Sequence, residues 1–263
     1  MTTRTTMKPP VCWAAAALTL ALLQGCATGP GANPADPLEP FNRAMFSFNE
    51  GVDRTVLKPV ATAYKDVTPQ LVRTGVTNFF GNISDVWSMV NNVLQLKGEA
   101  AMDSLFRVTT NTLWGLGGIF DVASDMNIPR HSEDFGLTLG HWGAASGPYV
   151  VLPLLGPSSV RDSVGTLVDA KGSVLNAVDN VPVRNSLVGL RAVDSRANLL
   201  GAGNVLDEAA LDKYSFVRDI YLQRRSNRIG RSAPAPAPAE ERYDLPEAGP
   251  EGGATAAPVP PAK

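Results

Sequence analysis

The sequence predicts an all-α protein, and three observations support this fold class. Apolar residues of the central region recur every three to four positions, as they do along one face of a helix. Segments that alternate apolar and polar residues between hairpin turns are nearly absent. Charged residues make up 18% of the chain, where about 25% is usual, while apolar residues reach 44%. Such a chain has either an unusually large buried interior or an apolar medium around part of its surface.

The first 25 residues have the layout of a bacterial export signal. Arg4 and Lys8 provide the positive start, and residues 11–23 form an apolar core that is too short to span a bilayer. Residues 1–25 are therefore predicted to be a signal peptide that is removed from the mature protein.

A cysteine follows this segment directly. Residues 23–26 read Leu-Gln-Gly-Cys and resemble the lipobox of bacterial lipoproteins, which are cut before the cysteine and acylated on it. Cys12 lies in the discarded signal, so Cys26 has no disulfide partner and is the predicted lipid anchor. Ala27 favours the outer membrane, because an aspartate at that position resembles an inner-membrane retention signal. Residues 26–35, rich in Gly and Pro, are predicted to be a flexible tether.

The other end of the chain has a different composition. Residues 232–263 contain 8 prolines in 32 positions and few large apolar groups, so this tail is predicted to be disordered. Residues 36–231 are then predicted to form a single helical domain. The mature chain has 25 acidic residues against 21 basic ones, since the signal removes two of the 23, and this balance disfavours nucleic acid as a partner.

The helices are predicted in order from their apolar stripes. Phe41, Met45, Phe48 and Val52 lie on one face of the first. A second stripe covers residues 83–94, with Asn82 as its candidate N-cap and Gly98 as its candidate C-cap. Each stripe, taken alone, is typical of a helix packed on a soluble core. Further stripes occupy residues 102–113, 160–168, 187–193 and 206–221.

One apolar segment has no helical period. Residues 147–157 read GPYVVLPLLGP, and Pro148, Pro153 and Pro157 exclude both a regular helix and a central strand, so a loop is predicted. No apolar run of the body reaches the roughly 18 residues of a transmembrane helix. A lipid anchor, apolar helical stripes and an apolar loop together predict a monotopic protein that lies in one membrane leaflet.

No motif for catalysis, metal binding or a cofactor is recognisable. G-x-S-x-G, H-E-x-x-H, a P-loop and a dinucleotide fingerprint are all missing. His131 and His141 are interpreted as surface or capping residues, and the glycines of residues 115–118 as a helix stop with close packing. We therefore expect no enzyme, no catalytic residues, no metal and no cofactor. A passive envelope scaffold and a lipid hydrolase stay open as alternatives.

At this point the residues resemble a known family. Asp36-Pro37-Leu38-Glu39 with Phe41-Asn42-Arg43 is similar to the opening signature of the MlaA/VacJ outer-membrane lipoproteins. The likeness covers nearly all of residues 36–225, with two departures: Leu137 stands where many relatives have a polar residue, and the tail has no counterpart. It is densest in Trp142-Gly143, Gly147-Pro148-Tyr149, Leu152-Pro153, Gly156-Pro157-Ser158 and Arg161-Asp162.

The resemblance implies a doughnut-shaped helical body in the periplasmic leaflet of the outer membrane, with a central amphipathic channel. Such proteins remove phospholipids from the outer leaflet and pass them to a periplasmic carrier, MlaC, which feeds an inner-membrane ABC transporter. Trimeric porins are the usual partners in the membrane. The implied function is retrograde phospholipid transport that maintains outer-membrane lipid asymmetry.

Site residues are assigned as hypotheses. The helix of residues 41–48 is expected at the membrane-facing rim and channel gate, and the loop of residues 147–157 as a wall or lid, with Tyr149 at the hydrocarbon boundary. Arg161 and Asp162 lie either near the polar mouth of the channel or in a salt bridge at a helix start. The predicted lipid-contacting set is Phe41, Asn42, Arg43, Phe48, Asn49, Gly147, Pro148, Tyr149, Leu152, Pro153, Arg161 and Asp162.

Overall fold

The computed structural model describes residues 36–232. The predicted signal peptide, the Cys26 anchor with its tether, and residues 233–263 of the predicted tail lie outside the described residues. The described helices are α1 (Glu39–Val52), α2 (Lys58–Val67), α3 (Gln70–Leu94), α4 (Gly98–Leu113), α5 (Val122–Asp125), α6 (Phe135–His141), α7 (Val160–Gly172), α8 (Val181–Asn198), α9 (Leu200–Ala209) and α10 (Lys213–Ser232). This confirms the all-α fold class.

The first two helices form one continuous rod. A π-helical segment, Asp53–Leu57, joins α1 to α2 without a turn. Such one-turn expansions interrupt the regular hydrogen-bond ladder and often occur at functional sites. The rod ends at Thr68, whose extended ψ of 124° is the conformation favoured before a proline.

The boundaries predicted for the second stripe are wrong. Helix α3 begins at Gln70, directly after Pro69, so Asn82 lies inside the helix and is not its N-cap. Its buried side chain donates to Thr112 Oγ1 on α4 at 3.0 Å. Gly98 starts α4 instead of ending α3. Both residues have the right chemistry for a cap, but tertiary pairing of α3 with α4 decides their positions.

The prediction of a loop at residues 147–157 is also wrong. The segment contains the antiparallel strands β1 (Tyr149–Leu152) and β2 (Gly156–Ser159), the one sheet in the part of the chain that the structure describes. The prolines do not prevent this pairing. Pro157 lies opposite Val151, whose N–H points away from β2 to a side chain of α1, so the ladder needs no N–H from Pro157.

Burial of residue types is inverted relative to a water-soluble domain. Within residues 36–232, eighteen polar or charged residues are buried against eleven apolar ones, while thirty-four large apolar side chains are exposed. On α4, Met102 and Phe106 are exposed, whereas Ser104 and Arg107 are buried. The apolar stripe of α4 therefore faces outward, and its interpretation as a face packed on a soluble core is wrong.

Three exposed turns carry leucine in a conformation that leucine rarely adopts. Leu96, Leu116 and Leu154 have φ of 57°, 51° and 63° and are 78%, 68% and 66% exposed. Gly or Asn adopts this left-handed region with less strain. None of the described helices is long and apolar enough to cross a membrane.

Candidate functional site

Two asparagines of α1 hold the hairpin against the rod. Asn42 Nδ2 donates to the Tyr149 carbonyl at 2.9 Å, and the Val151 N–H donates to Asn42 Oδ1 at 2.9 Å. Two turns further along the same face of α1, Asn49 Nδ2 donates to the Leu152 carbonyl at 2.9 Å, and the Leu154 N–H donates to Asn49 Oδ1 at 2.7 Å. Because a carboxamide carries one acceptor and two donors in a plane, each side chain substitutes for a neighbouring strand along β1.

The start of α1 is tied to α10 by a buried carboxylate. Asp36 is 1% exposed and accepts hydrogen bonds from Asn42 at 3.0 Å and from the Tyr214 hydroxyl. Arg218 Nη1 lies 3.3 Å from the same carboxylate. On the outer side, Arg43 pairs with Asp212 and stacks 4.4 Å above the ring of Tyr214. These contacts join chain segments that are about 180 residues apart.

Tyr149 does not lie at a hydrocarbon boundary. Its side chain is 2% exposed and packs against the rings of Tyr214 and Tyr221, with ring centroids 6.2 and 6.0 Å away. Burial raises the pKa of Tyr149 to about 12. The expectation for this residue is corrected, because β1 turns its side chain into the protein while the backbone meets Asn42.

Arg161 and Asp162 form the helix-start arrangement. Ser159 Oγ caps α7 by accepting from the Asp162 N–H at 3.2 Å, and Arg161 Nη2 lies 2.8 Å from Asp162 Oδ1. Both side chains are buried. Burial alone would raise the pKa of Asp162, but hydrogen bonds from Arg225 and Tyr221 lower it to about 2. The pair thus connects α7 to α10.

The other predicted residues fall into two groups. Phe41 and Phe48 lie on the outward face of α1 and are 42% and 49% exposed. The remaining four belong to the hairpin and its approach: a positive φ of 68° at Gly147 brings the Pro148 carbonyl to the Val160 N–H at 3.1 Å. Leu152 is half-buried and Pro153 is exposed in the turn. Lipid contact by any residue of the predicted set stays a prediction.

A cavity of about 370 Å³ lies between α1, the hairpin and helices α8 to α10. Phe46, Leu199, Leu206 and Val217 supply apolar walls. Charged groups also line it and form ion pairs with one another: Glu50, Asp53, Arg196, Asp207 and Lys213. An apolar space with a few fixed charges suits an amphiphile. Of the predicted set, the cavity includes Asn49.

Sequence reasoning missed the charged members of this cavity. Arg196 donates from Nε and Nη2 to the carboxylate of Asp53 in the π segment, at 2.6 and 2.8 Å, across 143 positions of sequence. Lys213 bridges Glu50 and Asp207, which is 2.6 Å away. No local pattern marks such pairs, since each residue by itself reads as an ordinary surface charge.

The described residues hold little that resembles a catalytic centre. His131 Nε2 is 2.9 Å from Asp103 Oδ2 at the edge of α4. No group of three or more His, Cys, Asp or Glu residues in the range 36–232 is arranged to hold a metal ion.

Comparison with known proteins identifies a family with this sequence. Residues 34–228 match the family described as MlaA lipoprotein. The Escherichia coli K12 protein named intermembrane phospholipid transport system lipoprotein MlaA is 39% identical over 217 residues, covering 80% of this chain and 85% of its own. The protein of the same name from Haemophilus influenzae is 33% identical, covering 79% and 86%.

A solved structure extends the likeness to three dimensions. It was determined as the structural basis for maintenance of bacterial outer membrane lipid asymmetry, and it aligns with a TM-score of 0.65 at 36% identity. The alignment covers 74% of this chain and 98% of the solved one. The family match, the identity over most of the sequence and the shared fold agree, and the chain belongs to the MlaA lipoprotein family.

Proposed function

We propose that this protein is the outer-membrane lipoprotein of an intermembrane phospholipid transport system and removes stray phospholipids from the outer leaflet. Its relatives carry that name, and the structural neighbour concerns outer-membrane lipid asymmetry. The single observation that carries the proposal is the inverted burial: apolar side chains outside, polar side chains inside, and an amphiphilic cavity among them. This distribution suits a body set in hydrocarbon.

The physical task is to lower one barrier. Moving a diacyl phospholipid with roughly thirty CH₂ groups into water costs about 25 kcal/mol at about 0.8 kcal/mol each. A barrier of about 25 kcal/mol permits about one event per several days. A lined passage lowers this cost without making or breaking a bond. Such a function needs no catalytic residue, metal or cofactor.

In the proposed arrangement, acylated Cys26 anchors a ring-shaped body in the periplasmic leaflet, and Phe41 and Phe48 face lipid at its rim. Asn42 and Asn49 fix the hairpin as one wall of the passage. The cavity beside them receives the lipid during transfer. Trimeric porins would hold the protein in the membrane, and a periplasmic carrier, MlaC, would deliver the lipid to an inner-membrane ABC transporter. These partners set the direction of transport.

The test fills the cavity. Ala202 lines it, and Ala202→Phe should reduce transfer of fluorescent phospholipid from vesicles to a soluble carrier at least tenfold. Ala192→Phe, exposed on α8 and outside the cavity, is the matched control and should transfer normally. Cells that carry the Ala202→Phe variant should accumulate phospholipid on their surface, while the variant protein itself remains membrane-bound. Normal transfer by a folded Ala202→Phe protein would refute the cavity as the passage.

The same samples discriminate the alternatives. A lipid hydrolase would release lyso-phospholipid, which mass analysis of the incubated vesicles detects. A passive scaffold would purify without intact phospholipid and would leave surface phospholipid unchanged when deleted. We expect no lyso products and co-purified intact phospholipid.

A further inference from the structure

A second cavity lies on the N-terminal half of α3 and shares no lining residue with the cavity beside the hairpin. Its volume is about 450 Å³, and its walls come from α3, from the turn that precedes α5, and from α8. The lining is almost entirely apolar and includes Phe79, Phe80, Ile119, Phe120, Leu187 and Leu190.

The walls of this second cavity are fixed by specific contacts. Gly75 lets the turn approach α3, since a Cβ there would lie 2.9 Å from Ile119 Cγ2. Asn78 Nδ2 then donates to the Ile119 carbonyl at 3.0 Å and holds the turn in place. The cavity is therefore a built feature of the packing between helix and turn.

A polar cavity of about 230 Å³ adjoins the apolar one, and Thr74 and Asn78 line both. Its other lining residues are all polar: Gln70, Arg73, Thr77 and Asn198. Arg73 is half-buried, and its Nε donates to the Thr68 carbonyl at 3.1 Å. Within residues 36–232 it forms no salt bridge, so its positive charge has no carboxylate partner there.

A buried carboxylate lies behind part of this polar cavity. Asp194 is 3% exposed and accepts from Thr77 Oγ1 at 2.8 Å and from Asn198 Nδ2 at 3.3 Å. Those two donors are engaged by the protein itself. Arg73, Gln70 and Thr74 supply the donors that remain for a ligand, and one of them is a guanidinium.

We infer that the two adjoining cavities form one binding site for a phosphate-bearing lipid, with a single aliphatic chain in the apolar part and the phosphate at Arg73. An apolar cavity of about 150 Å³ accommodates benzene. The threefold larger volume of 450 Å³ therefore fits a chain of roughly 18 carbons. A guanidinium matches two phosphate oxygens at once. This site is separate from the proposed passage and does not depend on it.

The experiment uses the full acylated protein and a lysophosphatidylglycerol probe with a diazirine near its chain end. A monoacylglycerol with the same chain is the uncharged comparison. After photolysis, labelled peptides are mapped by mass spectrometry. We expect saturable labelling of residues 71–80 and 187–190 above that of the exposed apolar peptide around Phe106. Equal, non-saturable labelling of both surfaces, or capture of a co-purified protein in place of the probe, would overturn the inference.

Two pairs of variants locate the chain and the phosphate. Leu190→Trp fills the apolar part and should reduce labelling at least tenfold, whereas Val188→Trp, exposed on the same helix outside the cavity, should not. Arg73→Gln should weaken labelling by the lysophospholipid about tenfold but not by monoacylglycerol, as expected for one charge-assisted hydrogen-bond pair. Arg54→Gln, on an exposed residue, is its control.

The melting temperature of each of the four variants is measured, and labelling is compared at a temperature at which all four are folded. Loss of fold is thereby separated from loss of the site. Equal losses in Leu190→Trp and Val188→Trp would contradict the proposed chain position. Phospholipid transfer is measured alongside. Normal transfer by Leu190→Trp, together with failed transfer by Ala202→Phe, would show two independent sites.

Discussion

Asn42 and Tyr149 are joined by a buried hydrogen bond of 2.9 Å between a helix side chain and a strand carbonyl. The return bond, from the Val151 N–H to Asn42 Oδ1, makes the carboxamide a substitute for a β-strand neighbour. Through this contact α1 and the hairpin are one structural unit beside the cavity. Together with Asn49, this buried amide holds the hairpin against α1.

Replacing this amide should therefore be costly. Asn42→Ala leaves the Tyr149 carbonyl and the Val151 N–H buried without partners, and we expect a loss of about 2 to 4 kcal/mol in the free energy of unfolding. Chemical denaturation of the detergent-solubilised protein measures it. Asn185→Ala, on an exposed residue of α8, should change stability by less than about 0.5 kcal/mol. Comparable small effects in both variants would contradict the role given to Asn42.

Asp162 should make the protein sensitive to acid. Its folded-state pKa of about 2 lies below the unfolded value of about 3.9, so the unfolded chain takes up the proton first as the pH falls. Stability is then complete above about pH 5 and declines toward pH 2, by about 2 kcal/mol from this group. Denaturation midpoints across this pH range test the expectation.

The matching variant is Asp162→Asn. It leaves Arg161 and Arg225 short of a buried carboxylate and should cost about 3 kcal/mol at neutral pH. Its stability should also decline less between pH 5 and pH 2 than that of the wild type. Asp125→Asn removes an exposed carboxylate and serves as control. An unchanged pH profile in Asp162→Asn would assign the acid sensitivity to other groups.

The buried ion network of α4 provides a test with the opposite pH dependence. Arg107 is 1% exposed, binds Asp121 at 2.7 and 2.9 Å, and lies 3.4 Å from Asp85. Arg107→Met leaves Arg130 as the one cation that pairs with both carboxylates among the described residues, and we expect a loss of about 3 to 5 kcal/mol at pH 8.

Burial already raises the pKa of Asp85, and loss of Arg107 should raise it further. A carboxyl with a higher pKa in the folded state binds its proton there first, so lowering the pH favours the fold. The Arg107→Met defect should therefore be smaller at pH 5 than at pH 8. Arg54→Met, on an exposed residue, should show no such recovery. A defect that is independent of pH would argue against protonation of Asp85.

A substitution at Leu116 should affect the stability of the fold and the binding to membranes in opposite directions. Its φ of 51° suits asparagine better than leucine, so Leu116→Asn should stabilise the isolated fold by up to about 1 kcal/mol. If the exposed leucine inserts into hydrocarbon, the same change should weaken vesicle binding of the unacylated Cys26→Ser chain about tenfold, because burial of one leucine contributes roughly 1.5 to 3 kcal/mol.

Vesicle flotation and thermal unfolding measure the two effects of this substitution. Asn127→Gly retains the left-handed turn, whose φ is 58°, and should leave vesicle binding unchanged. Undiminished vesicle binding by Leu116→Asn would show that the turn at Leu116 lies in water and not in hydrocarbon.

The sequence by itself determined the helical class and most of the apolar stripes, since a period of 3.6 is a local property. It also indicated the family, through the combination of Gly, Pro and aromatic positions in residues 142–162. It marked Cys26 as the predicted anchor. Each of these conclusions uses residues that lie close together along the chain.

The tertiary structure decided which side of each stripe is covered. An apolar face looks the same in sequence whether it packs on protein or on lipid, and the difference lies in the buried polar residues opposite it. Asn82, Arg107 and Asp162 are buried beside hydrogen-bond partners that lie 14 to 63 positions away in the sequence. The hairpin strand β1 has β2 on one edge and the carboxamides of Asn42 and Asn49 on the other. Such pairings depend on contacts between distant segments, and local periodicity carries no information about them.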